Sequence, residues 1–468
     1  MLVVDEDALR TVEHVKAAKR SLSQEEGSVG DIFLLFAHDL LIHFSGIVLH
    51  RDTKDEYLDS VDFPYVTKQY SLHPHAVGDI GERRLPGRAD IKALIRQLSL
   101  SNVAIGHAVP IDLRGEWFVG KWMNFFAAQK PPVRAFLPQR DLQIEAFRDL
   151  IEVLCEEFEV SEVEKVWDNW YRYLQIHTTD EQPVISEHAV ILGTRNHLQN
   201  RKLAINYLQQ GKEVVAVTHG EVANSVMDEP PFGYSERTLC SVLVDYGDFD
   251  KDGNFNSPWV LPRRRIYRSS VLAKYAYRST RAVTWPKRKN LRGLYIPTTY
   301  HGNKLYGPFH AFEDLVYRNW QSFLFDSIEG LTFKVHPKSQ SEPLEGVSVE
   351  KRSLETCINN YDYLVFDYFA TGALLGLVSD KPVIYCDIGL RNLHPEFLED
   401  LKKRCEYVKI DLKEFDQKLL GERLREILLS SRSFSNEEMR KYVFCESDEF
   451  SWKGIFWQMN FGKQISLG

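Results

Sequence analysis

Cysteine is scarce in this chain and follows no pattern. The six cysteines among 468 residues form no CxxC pair and no metal-ligand spacing, and several lie inside apolar runs. They are Cys155, Cys240, Cys357, Cys386, Cys405 and Cys445. This distribution predicts reduced core cysteines of a cytoplasmic protein. The first residues, Met-Leu-Val-Val-Asp-Glu-Asp, also lack the basic and apolar segments of a secretory signal.

The sequence also lacks the short motifs of several large enzyme classes. It contains no GxGxxG, no Walker lysine loop and no GxSxG elbow, which argues against a dinucleotide enzyme, an NTPase and a hydrolase of that type. No DxD cluster ends a predicted strand. The run from Asp248 to Gly253 starts like an EF-hand loop, but position twelve is Trp259 rather than glutamate. We therefore predict no metal site.

The composition indicates a globular protein without a membrane span. The chain is 44% hydrophobic, which suits two domains of about 200 residues each. The longest apolar stretch, 31–50, is interrupted by His38, Asp39, His43 and His50, which would be costly in hydrocarbon. We expect this stretch to form core.

Charge is low overall but uneven. The net charge of −8 argues against a general nucleic-acid binder. Residues 263–292 nevertheless carry eleven basic side chains and no acidic one: Arg263, Arg264, Arg265, Arg268, Lys274, Arg278, Arg281, Lys287, Arg288, Lys289 and Arg292. This stretch fits either a solvated surface helix with a linker or a contact with an anionic lipid surface or glycan.

Two regions alternate between apolar strands and helices. In the first, strands at 189–193 and 213–218 flank a helix at 195–209, a βαβ unit, and 241–245 is the next strand. In the second, a strand at 291–297 precedes a helix at 308–325, a strand at 331–335, a helix at 354–360, a strand at 363–366, a helix at 370–378 and a strand at 382–385. This order predicts an α/β fold with doubly wound parallel sheets.

Polar side chains follow two strands of the second region. One strand ends in Lys334-Val-His336-Pro337-Lys338, and another is followed by Asp367-Tyr368-Phe-Ala-Thr371-Gly372 at the start of a helix. Lysine, histidine, threonine and helix N–H groups are phosphate ligands, and open α/β sheets bind ligands at this edge. The sequence therefore predicts a phosphate site here.

These residues resemble a known family. Lys334-Val-His336-Pro337, the Asp-Tyr turn with a hydroxyl residue, the small-residue helix and Lys381-Pro382-Val-Ile are similar to the C-terminal half of bacterial surface-polysaccharide transferases of the GT-B fold. The family includes CDP-glycerol glycerophosphotransferases and CMP-dependent Kdo- and sialyltransferases. The resemblance covers about 291–390, and His219-Gly220 matches a histidine-glycine turn upstream.

The resemblance implies a fold and a domain division. Two Rossmann-like domains would face a cleft, with C-terminal helices crossing back. We expect an acceptor-binding domain at 1–285, of which 1–180 is unassigned, a nucleotide-donor domain at 286–435, and a helical tail at 436–468 that packs on the first domain.

The resemblance also implies roles for individual residues. His336 would donate to the donor phosphate, Pro337 would fix its turn, Lys334 or Lys338 would add charge, and Thr371 and Gly372 would hold the same phosphate. Tyr368, His301 and Asn303 complete the expected donor site. Asp367 is expected to orient its turn without touching ligand. No cofactor is expected, because the CMP-sugar is a substrate.

The catalytic group is expected in the first domain. An inverting transferase needs a general base and a double-displacement one needs a nucleophilic carboxylate. Glu221 and Asp245 are the candidates, with His219 beside them, and His301 could act from the other domain.

Three functions remain open. The leading one is transfer of Kdo or another ulosonic acid from a CMP donor to a glycan or lipid-linked acceptor. Phe369-Ala370 stands where the teichoic-type enzymes have a Ser-Ser pair, yet a CDP-glycerol glycerophosphotransferase stays an alternative. A nucleotide-sugar-binding partner without turnover is the third. We expect a cytoplasmic protein, at the inner face of the membrane if 263–292 binds anionic lipid, with no nucleic-acid partner.

Overall fold

The structure is a computed structural model. It describes residues 31–49, 58, 61, 103–105, 133–195, 197–217, 225, 238–246, 265–269, 282–287, 290–297, 300–301, 304–305, 314–335, 343–391, 393–412 and 414–443. The EF-hand-like run, Cys445 and the tail 444–468 lie outside these residues.

The first half of the chain is built on a parallel sheet with helices packed on it. Its described elements are α1 (Asp31–Leu49), β1 (Val103–Ile105), β2 (Ala135–Phe136), α2 (Arg140–Glu157), α3 (Val163–His177), β3 (Thr178–Thr179), β4 (Ala189–Leu192), α4 (Leu198–Leu208), β5 (Glu213–Val217), β6 (Val242–Tyr246) and β7 (Arg265–Ser269). Five of these strands pair in the order β1-β4-β5-β6-β7, all parallel. The short β2 and β3 pair with each other.

The apolar stretch at 31–50 forms α1, which packs against α2 and α4. Phe36 contacts the rings of Phe147 and Trp170 in the core of this half. Two of the polar residues that interrupt the stretch have buried partners: Trp170 Nε1 donates to His43 Nδ1 at 3.1 Å, and Arg201 on α4 pairs with Asp39. The prediction that this stretch forms core is confirmed. Among the described residues, no helix is long and apolar enough to cross a bilayer.

The second half is built on a second parallel sheet. Its described elements are β8 (Val283–Thr284), β9 (Gly293–Ile296), β10 (Tyr300–His301), β11 (Lys304–Leu305), α5 (Asp314–Ser327), β12 (Leu331–Lys334), β13 (Ser348–Glu350), α6 (Leu354–Cys357) with a 3-10 turn (Ile358–Asn360), β14 (Tyr363–Phe366), α7 (Thr371–Val378), β15 (Val383–Asp387), α8 (Pro395–Arg404), β16 (Glu406–Lys409), α9 (Gln417–Leu428), β17 (Ser433–Phe434) and α10 (Glu437–Arg440). The main sheet has the order β13-β12-β9-β14-β15-β16, and every pairing is parallel.

This strand order confirms the predicted α/β class and the doubly wound sheet of the second half. Numbered along the chain, the six strands lie in the order 3-2-1-4-5-6, which reverses between β9 and β14. In such sheets, ligands bind at the carboxyl ends of the strands at the point of reversal. At the amino ends of the same two strands, Gly293 of β9 leaves room for Tyr363 of β14, because a Cβ on it would lie 2.3 Å from the Tyr363 ring. In the first half, the order of the described strands does not reverse.

Several elements differ from the prediction. The strands β13 and β16 and the helices α3 and α8 were not expected. Part of the basic stretch is a strand, β7, so the surface-helix interpretation is wrong for 265–269. The His-Pro pair at 394–395 begins α8: His394 is the N-cap and accepts from the N–H of Glu396 at 3.3 Å.

The boundaries of the second half also extend beyond the prediction. Val283 and Trp285 belong to its core, and β8 pairs with β17. Residues 436–443 pack here too, since Met439 and Tyr442 lie in the core beside α7 and α8. The predicted packing of the tail on the first domain stays a prediction for 444–468.

Five cysteines lie in these cores. Cys155, Cys240, Cys357, Cys386 and Cys405 are buried and free, as predicted. Burial raises the pKa of the Cys155 thiol to about 12 and that of Cys405 to about 12, which keeps both thiols protonated.

Candidate functional site

The candidate site lies at the carboxyl edge of the second sheet, around the reversal between β9 and β14. Residues 367–371 follow β14 and lead into α7, Val335 follows β12, and the hairpin of β10 and β11 follows β9. One backbone contact reaches this region from the first half: the N–H of His394 donates to the carbonyl oxygen of Ser225 at 2.9 Å. Ser225 lies between β5 and β6 in the chain, so loops from both sheets meet here.

Asp367 holds the turn after β14 in place from the core side of that turn. Its buried carboxylate accepts hydrogen bonds from the hydroxyl of Tyr295 on β9, from the hydroxyl of Tyr317 at 3.2 Å and from Trp320 Nε1 at 3.0 Å. Burial raises the pKa of Asp367 to about 6, although these three hydrogen bonds favour the ionised form. All four groups face the core, as expected of a residue that orients its turn, and that Asp367 touches no ligand stays a prediction.

The first turn of α7 presents backbone N–H groups to the same edge. Ala370 is the N-cap, in extended conformation, and has no side-chain oxygen with which to cap the helix. Thr371 and Gly372 are therefore the first two helical residues, and Thr371 is not the N-cap. The first N–H groups of a helix have no acceptor within it, and they carry its positive partial charge. This end of α7 suits an anion.

The opposite end of α7 is held by Arg404 and Asn436. The fully buried Arg404 donates to the carbonyl oxygens of residues 376, 377, 379 and 381, at 3.4, 2.5, 3.0 and 2.9 Å. Asn436 Nδ2 donates to the carbonyl of Val378 at 3.3 Å. Burial lowers the pKa of Arg404 to about 10, so the guanidinium stays charged at neutral pH. These bonds satisfy the carbonyls at the helix end and fix the direction of α7.

Two glycines of α7 differ in what surrounds them. A Cβ on Gly376 would lie 2.7 Å from the Phe366 ring and 3.0 Å from Leu364, so close packing against β14 excludes any side chain there. Among the described residues, a Cβ on Gly372 would meet Leu354 alone, at 3.5 Å, which is an ordinary contact. Glycine costs a helix about 1 kcal/mol relative to alanine. Packing explains Gly376 and does not explain Gly372.

Arg391 adds a positive charge that the sequence reasoning missed. It follows β15, is buried, and its guanidinium lies 4.6 Å from the centre of the Tyr368 ring, a cation–π contact. Tyr368 and Arg391 thereby connect the turns after β14 and β15. The signal was available, because Arg391 follows the run Val383–Asp387 as closely as Thr371 follows β14.

Lys334 contacts the backbone beside it. It is the last residue of β12, its side chain is buried, and Nζ donates to the carbonyl of Val335 at 2.6 Å. A phosphate contact would have to be made in addition to this bond. The charge role predicted for Lys334 stays a prediction.

The other predicted residues are described only in part or not at all. His336, Pro337 and Lys338 after β12, Asn303, and His219, Gly220 and Glu221 after β5 lie outside the described residues. The backbone places His301 on β10 and Asp245 one residue before the end of β6, opposite Arg268 of β7. Of the predicted site, the structure brings together Tyr368, Thr371 and Gly372, with Lys334 at the end of a nearby strand.

Comparison with known proteins gave matches among solved structures. No family model matches the chain, and no curated protein matches it. A structure described as the glycotransferase of kitacinnamycin aligns with 75% of this chain and 90% of its own, at 12% identity and a TM-score of 0.35. A spinosyn rhamnosyltransferase aligns with 65% of this chain and 79% of its own, at 11% identity and a TM-score of 0.30.

Proposed function

We propose that this chain is a GT-B glycosyltransferase of bacterial surface polysaccharide synthesis. It would transfer Kdo or another ulosonic acid from a CMP-activated donor to a glycan or lipid-linked acceptor. The second half would bind the nucleotide, and the first half would bind the acceptor. The two parallel sheets, one of them doubly wound, fit this division of labour.

One observation carries the proposal: no side chain of the described residues packs closely enough against Gly372, in the first turn of α7, to require a glycine there. A glycine whose Cβ would be accommodated is expected where another molecule needs the space, since glycine permits close approach to the backbone. The N–H groups of the first turn, the Thr371 hydroxyl and the nearby Arg391 offer donors and positive charge for a phosphate. The ligand expected at this end of α7 is therefore the CMP phosphate.

In the proposed reaction, the bond between the sugar's anomeric carbon and the CMP phosphate oxygen breaks while the acceptor oxygen attacks that carbon. The acceptor proton passes to a base in the first half, for which Glu221, Asp245 or His219 is the candidate. Negative charge develops on the departing phosphate, and α7, Arg391 and His336 would stabilise it. These groups act on the leaving group, and no step needs a metal.

The first test compares the two glycines of α7. Gly372→Ala should weaken CMP binding about tenfold or more in isothermal titration calorimetry, because the methyl group occupies the ligand's position, while the melting temperature stays equal or rises. Gly376→Ala is the matched control. Its Cβ clashes with Phe366, so it should lower the melting temperature. Unchanged CMP affinity in Gly372→Ala would remove α7 from the site.

The second test identifies the donor base. A thermal-shift screen against CMP, CDP, UDP and GDP should show the largest shift with CMP, since a ligand stabilises the folded state that binds it. A larger shift with CDP would favour the CDP-glycerol alternative. A transfer assay with no turnover despite CMP binding would favour the binding-partner alternative.

Contact of 263–292 with anionic membrane is a further part of the proposal, and flotation with anionic vesicles at low salt tests it.

A further inference from the structure

A buried arginine lies in the first half, far along the chain from the proposed nucleotide site. Arg195 is in the turn of residues 193–197 that joins β4 to α4, and its side chain is fully buried. The turn is held by Asn200 on α4, whose Nδ2 donates to the carbonyl of Thr194 at 2.7 Å. Arg195 thus lies at the carboxyl edge of the first sheet, next to the start of an eleven-residue helix.

The guanidinium of Arg195 uses one of its edges and leaves the other open. Nη1 donates to the carbonyl of Gly193 at 2.9 Å, which orients the group. Nε and Nη2 are buried, and neither donates to any atom of the described residues. Nε and Nη2 form the side-on pair of parallel N–H donors that matches two oxygens of a carboxylate or phosphate. Arg201, by comparison, is buried on α4 and has a counter-charge: its Nη2 pairs with Asp39, although its Nε and Nη1 have no partner among the described residues.

A buried charge without a counter-charge is strongly unfavourable. No described carboxylate pairs with Arg195, so an anion from outside the described residues is expected to satisfy it. The positive end of α4 lies beside it in the chain and favours the same charge. A delocalised anion with two oxygens fits both features, and a cation or a neutral sugar hydroxyl fits neither.

We propose that Arg195 and the first turn of α4 form a binding site for a carboxylate or phosphate group of a ligand. The site lies in the half of the chain opposite to the nucleotide site, and it does not depend on the proposed function. If the chain transfers a sugar, this site would take the anionic group of the acceptor.

The test titrates the full chain with inorganic phosphate and, separately, with acetate, using calorimetry and thermal shift. Arg195→Gln keeps a donor for the Gly193 carbonyl but removes the charge, so anion binding should weaken about tenfold or more. Because the unpaired charge is also removed, its melting temperature without anion should equal or exceed that of the wild type. Arg195→Lys retains the charge without the paired donors and should bind with intermediate affinity. Arg172→Gln, at an exposed arginine of α3, should change neither property.

The phosphate and acetate arms separate the two possible groups, since the preferred one gives the larger stabilisation. Binding at the second half is identified by Gly372→Ala, which should leave the Arg195-dependent part unchanged. The inference is overturned if wild type binds neither anion, or if Arg195→Gln binds both as wild type does. It is also overturned if Arg195→Gln melts at a lower temperature while its anion response is unchanged, because Arg195 would then be a structural residue.

Discussion

Replacing Asp367 by asparagine should change how the stability of the second half depends on pH. The carboxylate is buried, and Oδ2 accepts from Tyr295 and Trp320 while Oδ1 accepts from Tyr317. An asparagine can keep this arrangement. Its carbonyl oxygen replaces Oδ2, and its amide nitrogen replaces Oδ1 and donates to the Tyr317 hydroxyl, which can accept as well as donate. The variant should therefore fold, without the titrating charge.

The direction of the pKa shift determines whether the contribution of Asp367 to stability rises or falls with pH. Asp367 has a pKa of about 6 in the folded state, against 3.8 as the ordinary value, so the folded state holds the proton more tightly. This contribution to stability is complete below pH 3.8 and is lost as pH rises to about 6. Two pKa units correspond to about 3 kcal/mol, of which about 2 kcal/mol is lost between about pH 4.5 and 7.5.

The assay is urea unfolding of wild type and Asp367→Asn at several values between about pH 4.5 and 7.5. The difference in unfolding free energy should move by about 2 kcal/mol in favour of the variant as pH rises. Asp400→Asn is the matched control, because the stability that Asp400 contributes is lost only as pH falls below 3.8, so this variant should run parallel to wild type over the same range. Burial raises the Asp400 pKa, but hydrogen bonds from Lys441 and Lys403 outweigh it and hold the pKa below its usual value. Parallel pH profiles for wild type and Asp367→Asn would refute the reasoning.

Two further predictions concern Arg404 and His177. Arg404→Lys keeps the charge but cannot reach four carbonyls, so it should lose about 2–4 kcal/mol of stability in urea unfolding; an unchanged midpoint would contradict the role of Arg404 in holding α7. Burial, together with the smaller effect of the charges of Lys202 and Arg201, lowers the pKa of His177 from 6.5 to about 4. The contribution of His177 to stability is therefore complete above pH 6.5 and is lost as pH falls towards 4. His177→Gln can still accept from Lys202 Nζ, and calorimetric melts should show a smaller loss in acid than wild type; an equal loss would contradict this.

The elements around the proposed nucleotide site could be predicted because buried parallel strands are continuous apolar runs. β14 was predicted with the bounds it has, Tyr363–Phe366, and α7 begins one residue after its predicted start. The edge strands β13 and β16 were missed because they are short and partly exposed, so they lack such a run. The order of strands depends on pairing between distant segments, which no local pattern specifies.

The missed side chains have a related cause. Arg404 and Asn436 hold the end of α7 from 28 and 58 residues away in sequence, and neither has a motif. The three partners of Asp367 come from β9 and α5, so the sequence predicted that Asp367 orients a turn but not what holds it. The strand-end residues were found because their position relative to an apolar run is local information.

These distant contacts give the support that so short a helix would need at the proposed phosphate site. A helix of eight residues has little intrinsic stability, so its direction must come from tertiary contacts. Arg404 and Asn436 hold the carbonyl end, and the hydrogen bonds of Asp367 hold the residues that lead into the amide end. With both ends fixed, a ligand bound at Gly372 as proposed would meet N–H groups that are already oriented, and binding would not have to order them. We therefore expect variants that loosen either end to lose nucleotide affinity before the second half unfolds.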